Sequence, residues 1–383
     1  MRRIRRAFVP AGDGTGDLVP SSRWTAAVAR SFRQKPAGAY LDTASIGLVP
    51  DEVSSGAVDC FTALGAGTRG AVRWRAVTEQ ARIDLAAEFG VMPAEISFMA
   101  STGEAMNALA RAICWRPGDE VVVLADDFPT VLHPWLALGD PVRVVQVRAA
   151  PAEAVAKLVA AIGPATRAVA VAHVSSTTGN ALDLAALGAA CHAAGALLIC
   201  DGAQAAGCIP VDLSAVDFYI ATGYKWLLAG FGIALVISKR GPAARLTPGL
   251  RGHANLPPSA SLGYGTVNLA GIYALAAAGR LRRSIGTQAI QARIAELVGR
   301  LYAELVDLGF RPALPSQPQA GIVSLAGFPE PDHVVADLAS AGVSVAQRGG
   351  LLRIAPGLYT TDDEVDLLLG KVRAHRPSVS RTQ

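Results

Sequence analysis

The stretch FYIATGYKWLLAGFGIALV, residues 218–236, places two apolar segments on either side of a turn that contains Lys225. Lysine is rarely fully buried, because removing an ammonium group from water is costly unless the charge is paired or neutralised. An ordinary lysine at this position extends from a strand end to the surface. The alternative is an amine kept partly neutral, as a Schiff-base nucleophile requires. Partners elsewhere in the chain have to decide between the two.

Short apolar runs that alternate with alanine-rich helical stretches fill the middle of the chain. Strands are predicted at 121–124, 142–147, 168–174, 196–200 and 233–237, with helices near 103–113, 152–162 and 184–194. Most of these strands are apolar at nearly every position, which indicates burial on both faces, and crossover helices indicate a mainly parallel sheet. The sequence therefore predicts an α/β domain whose chemistry lies at the carboxyl ends of its strands.

The sequence changes character after about residue 250. A proline- and glycine-rich segment is followed by an amphipathic helix whose apolar stripe begins at Ile290 and runs toward a cap at Gly309. Strand-like and helical segments alternate after it. We predict an N-terminal arm at 1–35, a large α/β domain at 36–250 and a small α+β domain at 251–383.

Composition excludes several classes of protein. Of the 383 residues, 51% are hydrophobic and 17% charged, which is typical of a folded chain with a large core. The charge of +4 comes partly from the two ends, and no basic stripe with interleaved aromatics exists, so no nucleic-acid partner is expected. Five cysteines without a CxxC pair predict neither a disulfide framework nor a metal site. We read no export signal and no membrane span, and expect a cytoplasmic protein without a membrane partner.

Three loops carry residue types that suit one small aromatic phosphate. Ser101, Thr102 and Gly103 lead into a helix, where free N–H groups can hold an anion, although Ser and Thr are also ordinary helix caps. Asp201 ends an apolar strand and suits a protonated ring nitrogen, although it can equally cap a turn. Phe128 follows another strand and offers a flat face, or is a core aromatic. With Lys225 as the amine, these are the requirements of pyridoxal phosphate.

These motifs give the chain a recognisable likeness. It resembles the class V aminotransferases, the fold-type-I pyridoxal-phosphate group that includes cysteine desulfurases, kynureninases and isopenicillin-N-epimerase-like proteins. The similarity runs from YLDTASIGLVP (40–50) to LLRIAPGLYTTDDEVDLLL (351–369). The resemblance implies a mainly parallel seven-stranded sheet, a smaller C-terminal α+β domain and pyridoxal 5'-phosphate as cofactor. It also implies an amino-acid substrate and a homodimer with shared active sites.

The resemblance further implies a role for each matching residue. Lys225 forms the Schiff base and moves the α proton, and Asp201 pairs with the pyridine nitrogen. The other expected contacts are Gln204 on the ring hydroxyl, Ser176 beside the ring, Phe128 stacked on it, Thr102, Gly103 and Thr222 on the phosphate, Thr266 on the phosphate of the neighbouring subunit, and Arg353 on the substrate carboxylate. Two residues stay open: Arg348 holds a second substrate anion or a surface ion pair, and His253 is an extra acid or base or a surface histidine.

The implied reaction begins with removal of the α proton of an amino acid. Transamination or β-elimination of the carbon–sulfur lyase type is the first expectation, and epimerisation is the alternative. Desulfurases carry a persulfide-forming cysteine in the C-terminal part, and no cysteine follows Cys208, so we expect an enzyme that is not a persulfide-type desulfurase. Two other classes remain: a nucleotide-binding module, against which the absence of GxxxxGK[ST] counts, and an inactive dimeric interaction protein.

Overall fold

A computed structural model describes residues 28–140, 142–256 and 261–376. Its strands are short. They are β1 (Ala39–Tyr40), β2 (Ile96–Met99), β3 (Glu120–Leu124), β4 (Arg143–Val147), β5 (Thr166–Ala172), β6 (Leu197–Asp201), β7 (Phe218–Thr222), β8 (Ala234–Ser238), β9 (Arg311–Pro312), β10 (Val323–Ala326), β11 (Val343–Ser344), β12 (Ala346–Arg348) and β13 (Leu351–Ile354). The strands predicted from the apolar runs are confirmed, within one or two residues at their ends.

The described α-helices alternate with these strands through most of the chain. They are α1 (Asp51–Gly65), α2 (Ala71–Phe89), α3 (Thr102–Ala112), α4 (Pro129–Leu136), α5 (Ala154–Ala161), α6 (Leu184–Ala193), α7 (Arg240–Ala243), α8 (Leu269–Ile285), α9 (Thr287–Asp307), α10 (Pro331–Ser340) and α11 (Asp362–Val372). Helix α9 buries the predicted stripe from Ile290 to Leu305, and Gly309 follows it with a φ of 83°. In the part of the chain that the structure describes, no helix is long and apolar enough to cross a bilayer.

A seven-stranded sheet forms the centre of the fold. Its order is β2-β8-β7-β6-β5-β3-β4. The pairs from β7 to β4 are parallel, and β8 runs antiparallel to both of its neighbours. Every residue of β6 and β7 is buried, which explains why these strands are apolar throughout. The mainly parallel α/β sheet is thus confirmed, and the carboxyl ends of β3, β5, β6 and β7 meet at one edge.

A four-stranded antiparallel sheet, ordered β12-β13-β10-β9, makes up the C-terminal α+β part. Strand pairing also joins this part to residues near the beginning of the described chain. Strand β1 pairs in parallel with β11, and Asp42 forms an isolated bridge with Ala355. Residues just after β1 are therefore fixed beside β13. Helix α8 packs on α1 and α2. The domain boundaries at 35 and 250 stay predictions.

Candidate active site

A small pocket lies at the carboxyl edge of the seven-stranded sheet. Seven of the predicted site residues line it, together with Ala172, Val174, Ala203 and Tyr224: Thr102, Phe128, Ser176, Asp201, Gln204, Thr222 and Lys225. Each of the seven follows or ends a strand of the sheet, because β2, β3, β5, β6 and β7 all point their carboxyl ends toward this edge. The fold therefore brings side chains from five separate loops together.

Lys225 is buried in the turn after β7, with 7% of its surface exposed. Its Nζ lies 5.5 Å from the ring centroid of Phe128 and 5.6 Å from that of Tyr224. Burial lowers the pKa of the amine to about 8, an effect that the Asp201 carboxylate opposes and that the Arg353 and Arg348 guanidinium groups strengthen. The surface-lysine interpretation is therefore wrong, and an amine partly neutral near pH 8 is available in the pocket.

Asp201 ends β6 with 5% of its surface exposed. Its Oδ1 accepts the amide N–H of Ala203 at 2.8 Å, in a turn rather than at a helix start. Burial raises the pKa of this carboxyl, while the Ala203 hydrogen bond and the charge of Lys225 act in the opposite direction. In the described chain Oδ2 has no hydrogen-bond partner, so one carboxylate oxygen remains for a donor inside the pocket.

The hydroxyl that caps the helix after β2 belongs to Ser101 and not to Thr102. Ser101 is the N-cap of α3, and its Oγ accepts the amide N–H of Glu104 at 3.0 Å. Thr102 is thereby left at the first helical position, with its side chain on the pocket wall. Gly103 follows and does not line the pocket itself. A Cβ at this glycine would meet no other atom nearer than 3.7 Å, so packing within the chain does not demand glycine there.

Gln204 is held from two directions. Its Nε2 donates to the carbonyl of Ala44 and its Oε1 accepts from the indole of Trp226, both at 2.9 Å. The amide is therefore oriented, and one of its two N–H groups is left for the pocket. Ser176 contributes its backbone as well, since its carbonyl accepts from Nη1 of Arg353 at 2.9 Å.

Arg353 is 2% exposed, and its guanidinium group is already engaged within the chain. Its Nη2 donates to Oδ1 of Asp42 at 3.1 Å and to Oγ of Ser45 at 2.6 Å. The buried Nε has no hydrogen-bond partner among the described residues. Arg348 is exposed, and its Nη2 donates to the same Ser45 hydroxyl at 3.1 Å. The predicted surface ion pair of Arg348 is absent from the described part of the chain.

Two predicted residues lie away from the pocket. Thr266 lines a separate surface depression together with Phe98, Glu104 and Tyr264. His253 is exposed in the loop after Arg251. The structure does not bring either of them to the pocket that contains Lys225.

Sequence reasoning missed Asp42, Ser45 and Asp127. Asp127 accepts the amide N–H of Phe128 at 2.7 Å and that of Ala172 at 2.8 Å, which fixes the loop that carries Phe128. Burial raises its pKa to about 6, against the lowering effect of those two hydrogen bonds, and Asp201 and Asp126 raise it further. The two aspartates after an apolar strand, Asp126 and Asp127, are the sequence feature that could have identified this residue.

Comparison with known proteins identifies the group to which this site belongs. The family model described as aminotransferase class-V matches residues 39–368. The chain belongs to the class V aminotransferase family. A probable cysteine desulfurase of Methanothermobacter thermautotrophicus is 28% identical, over 86% of this chain and 92% of its own length. Isopenicillin N epimerase of Streptomyces clavuligerus is 29% identical, over 76% and 82%.

Solved class V structures share the fold. C-DES, in a mutant with glycine covalently linked to the PLP cofactor, superposes with a TM-score of 0.86 at 21% identity, over 91% of this chain and 99% of that one. Cysteine desulfurase CsdA of Escherichia coli gives 0.83 at 25% identity, over 94% and 99%. The cofactor of this class V protein is pyridoxal 5'-phosphate, and its chemistry is that of an amino-acid enzyme.

The residues present fit that cofactor. The pocket offers a partly neutral amine in Lys225, and the carboxylate of the buried Asp201 keeps one oxygen without a donor among the described residues. Thr102 and Thr222 supply hydroxyl groups beside the first turn of helix α3, where unpaired backbone N–H groups favour an anion. Amine, acceptor and anion cradle are the three groups that a pyridoxal phosphate needs.

The exclusion of a persulfide-type cysteine desulfurase is wrong. Relatives from M. thermautotrophicus and from E. coli, the latter 30% identical over 63% of this chain, are named cysteine desulfurases. The exclusion relied on the position of a single protein cysteine. A structural neighbour is described as the cystine C–S lyase C-DES with its reaction product cysteine persulfide. A persulfide can thus be carried by a product, so the absence of a cysteine after Cys208 does not decide the chemistry.

Proposed function

We propose that the protein uses Lys225 as its single base to eliminate a sulfur substituent from the β carbon of an α-amino acid. When bound, pyridoxal phosphate supplies an aldehyde that condenses with amines and a ring that accepts the electron pair left at the α carbon. The chain supplies the groups that hold the cofactor and move the proton. One observation supports this proposal above the others: the pKa of Lys225 is lowered to about 8 inside the pocket.

In this proposal each pocket residue has a task that its surroundings suit. Lys225 would hold the cofactor through its amine and, when free, would take the α proton of the substrate on its Nζ. Asp201 would offer its carboxylate to the ring nitrogen and keep that nitrogen protonated. Thr102, Gly103 and Thr222 hold the phosphate. Phe128 would stack on the ring, Gln204 would contact the ring hydroxyl, and Ser176 would lie beside the ring.

The number of bases in the pocket favours elimination over a two-base epimerisation. Asp201, Tyr224 and Lys225 are the titratable groups among the described residues that line it. Asp201 is assigned to the ring nitrogen, and burial raises the pKa of Tyr224, so that phenol keeps its proton at neutral pH. Lys225 alone is poised to take a proton and to return one.

The names of the class V relatives support sulfur as the leaving group. Those named cysteine desulfurase act on a sulfur-bearing amino acid by name. Epimerisation is the second candidate, because the S. clavuligerus relative is named isopenicillin N epimerase. In that case Tyr224 is the remaining titratable group, among the described residues that line the pocket, that could donate a proton from another direction. Transamination needs no base beyond Lys225 and is scored in the same assay.

We also propose a homodimer with shared sites. Thr266 lies outside the pocket of its own chain but matches the family residue that reaches the phosphate of a neighbouring subunit. A dimer gives this threonine a function that the single chain does not. Light scattering measures the oligomeric state, and a Thr266→Ala variant with unchanged cofactor affinity contradicts this part of the proposal.

The function is tested on the purified protein reconstituted with pyridoxal phosphate. We expect a yellow protein in which borohydride reduction fixes the cofactor on Lys225. A panel of amino acids is then scored separately for pyruvate or released thiol, for keto acid, for α-deuterium exchange and for inversion. Release of pyruvate and a sulfur product supports elimination, whereas exchange with inversion and no net product moves epimerisation to the front. A protein that stays colourless indicates the inactive interaction protein instead.

A further inference from the structure

The charged groups near Lys225 form a small set with an uneven balance. Asp42, Arg348 and Arg353 lie close enough to act on the amine electrostatically, together with Asp201. Asp201 is reserved for the ring nitrogen in the proposed function, and Lys225 for the cofactor aldehyde. Two guanidinium groups and one carboxylate therefore remain to meet the substrate.

The Asp42 carboxylate forms an ion pair with the Arg353 guanidinium group. Its Oδ1 accepts from Nη2 at 3.1 Å, and the aspartate side chain is 18% exposed while that of the arginine is 2% exposed. The pair is mostly out of water, where Coulomb interactions are several times stronger than at the surface. The position of Asp42 is fixed by the backbone bridge to Ala355, two residues after Arg353. This carboxylate is thus a built-in counter-charge for one of the two arginines.

Ser45 joins the second arginine to the first. Its Oγ accepts from Nη2 of Arg353 and from Nη2 of Arg348, so both lone pairs of the hydroxyl are used. The two guanidinium groups are therefore neighbours on one hydroxyl. Arg348 has no carboxylate partner among the described residues, in contrast to Arg353. Its positive charge is the one left uncompensated.

Arg348, Arg353 and Asp42, the charged side chains that remain for the substrate, together carry one net positive charge. A single α-carboxylate balances it. An amino acid with a second acid group in its side chain brings one negative charge too many into a partly desolvated site, where an unpaired charge is strongly disfavoured. If Asp42 carried no charge, the same site would balance two carboxylates.

We propose that Asp42 is a specificity-determining residue that restricts the substrate to α-amino acids with an uncharged side chain. The proposal rests on the proposed function and narrows its substrate class. Specificity here comes from repulsion of the wrong substrate as much as from attraction of the right one.

The test uses two substrates of nearly equal shape, S-carbamoylmethyl-L-cysteine and S-carboxymethyl-L-cysteine, which differ by one negative charge. The holoenzyme is assayed for pyruvate with each, and the quantity compared is the ratio of kcat/KM for the carboxymethyl over the carbamoylmethyl compound. We expect a ratio below about 0.1 for the natural chain. Asp42→Asn, which keeps an oxygen for Nη2 of Arg353, raises that ratio about tenfold, a change that corresponds to about 1.4 kcal/mol.

Two further variants complete the design. Arg348→Gln removes the uncompensated charge and lowers the ratio, because the doubly charged substrate loses more attraction than the singly charged one. Asp366→Asn is the matched control, since Asp366 also pairs with an arginine, Arg300, and lies on the exposed face of helix α11, outside the pocket. This variant leaves the ratio unchanged. If Asp42→Asn does not fold, the Arg348→Gln arm still decides, because Arg348 is exposed.

Binding is measured beside turnover, from the change in cofactor absorbance when each compound is titrated into the holoenzyme. The dissociation constants compare the carboxymethyl with the carbamoylmethyl compound even if no pyruvate is released. Failure of the elimination chemistry is therefore distinguished from failure of this inference. A natural chain that prefers the carboxymethyl compound overturns the inference. So does an Asp42→Asn ratio within twofold of the natural one.

Discussion

Ser101 caps helix α3, and its neighbour Thr102 is thereby released to the pocket wall. Two adjacent hydroxyl residues thus differ in what they stabilise. The Ser101 hydroxyl satisfies a backbone donor within the chain, whereas the Thr102 side chain faces the pocket.

The two residues should consequently separate stability from cofactor binding. Ser101→Ala removes a cap hydrogen bond and is expected to lower the free energy of unfolding of the cofactor-free protein by about 1 kcal/mol. Thr102→Val keeps the cap and the shape, so stability changes little while affinity for pyridoxal phosphate falls. Chemical denaturation and absorbance titration measure the two effects. If Thr102→Val destabilises the protein and spares the affinity, the assignment is reversed.

Reconstitution of the cofactor-free protein should depend on pH through Lys225. Only the neutral amine attacks an aldehyde, and burial lowers its pKa from 10.5 to about 8. As pH rises, the neutral fraction grows and levels off above this pKa. At pH 7 the neutral fraction is about 300 times that of a free lysine, because each pKa unit counts tenfold. Stopped-flow absorbance gives the rate at each pH, and a rate still rising steeply at pH 9.5 contradicts the lowered pKa.

Lys225→Ala is the control for that experiment. The substitution removes a buried amine that forms no hydrogen bond in the described chain, so the protein should fold and melt no lower than the natural cofactor-free chain. It should also fail to retain the cofactor after borohydride reduction and dialysis. Turnover that persists in this variant contradicts the role assigned to Lys225.

Asp201→Asn isolates the charge at the ring nitrogen. Asparagine can still accept the amide N–H of Ala203, so the turn after β6 is kept. The buried charge is lost, and the free energy of unfolding should therefore not decrease. The rate of α-proton removal should fall on the order of 100-fold, since the charge that keeps the ring protonated is gone. Deuterium exchange at the α carbon measures this step, and a rate within threefold of the natural one contradicts the assignment.

Gly202→Ala tests how tightly the turn after Asp201 packs against Tyr219. A Cβ at this position would lie 2.2 Å from Cζ of the buried Tyr219 ring. The ring or the turn has to move, so we expect a destabilisation of about 1–3 kcal/mol and weaker cofactor binding. Gly370→Ala is the control, because Gly370 lies on the exposed face of helix α11 and a Cβ there meets nothing within 4 Å, so it should stabilise the protein by about 0.5–1 kcal/mol. Equal behaviour of the two variants speaks against a tight contact at Gly202.

The sequence predicted those parts of the site that depend on strand ends. Lys225, Asp201 and Thr222 follow apolar strands buried on both faces, and parallel strands bring their carboxyl ends to one edge whatever the details of the loops. The roles of these residues stay predictions, but their convergence follows from hydrophobic pattern alone. The choice between Ser101 and Thr102 as cap was beyond that pattern, because either hydroxyl suits the position.

Contacts between distant segments were not predictable in the same way. Asp42 meets Arg353 across 311 positions of the chain, through the pairing of two-residue strands that have no apolar periodicity of their own. A motif such as YLDTAS carries no local sign that its aspartate faces an arginine. Nor could the cysteine positions decide the desulfurase question, since that inference concerned the chemistry of sulfur and not the fold.

The parallel pairing of β1 with β11 also has a temporal consequence. Ser45 contacts Arg348, and Asp42 contacts Arg353, only when a segment made early in translation meets one made late. A ribosome-bound chain in which Asp201 and Lys225 have already been synthesised still lacks Arg348 and Arg353. If the two arginines bind the substrate as proposed, capture of substrate has to await the finished polypeptide.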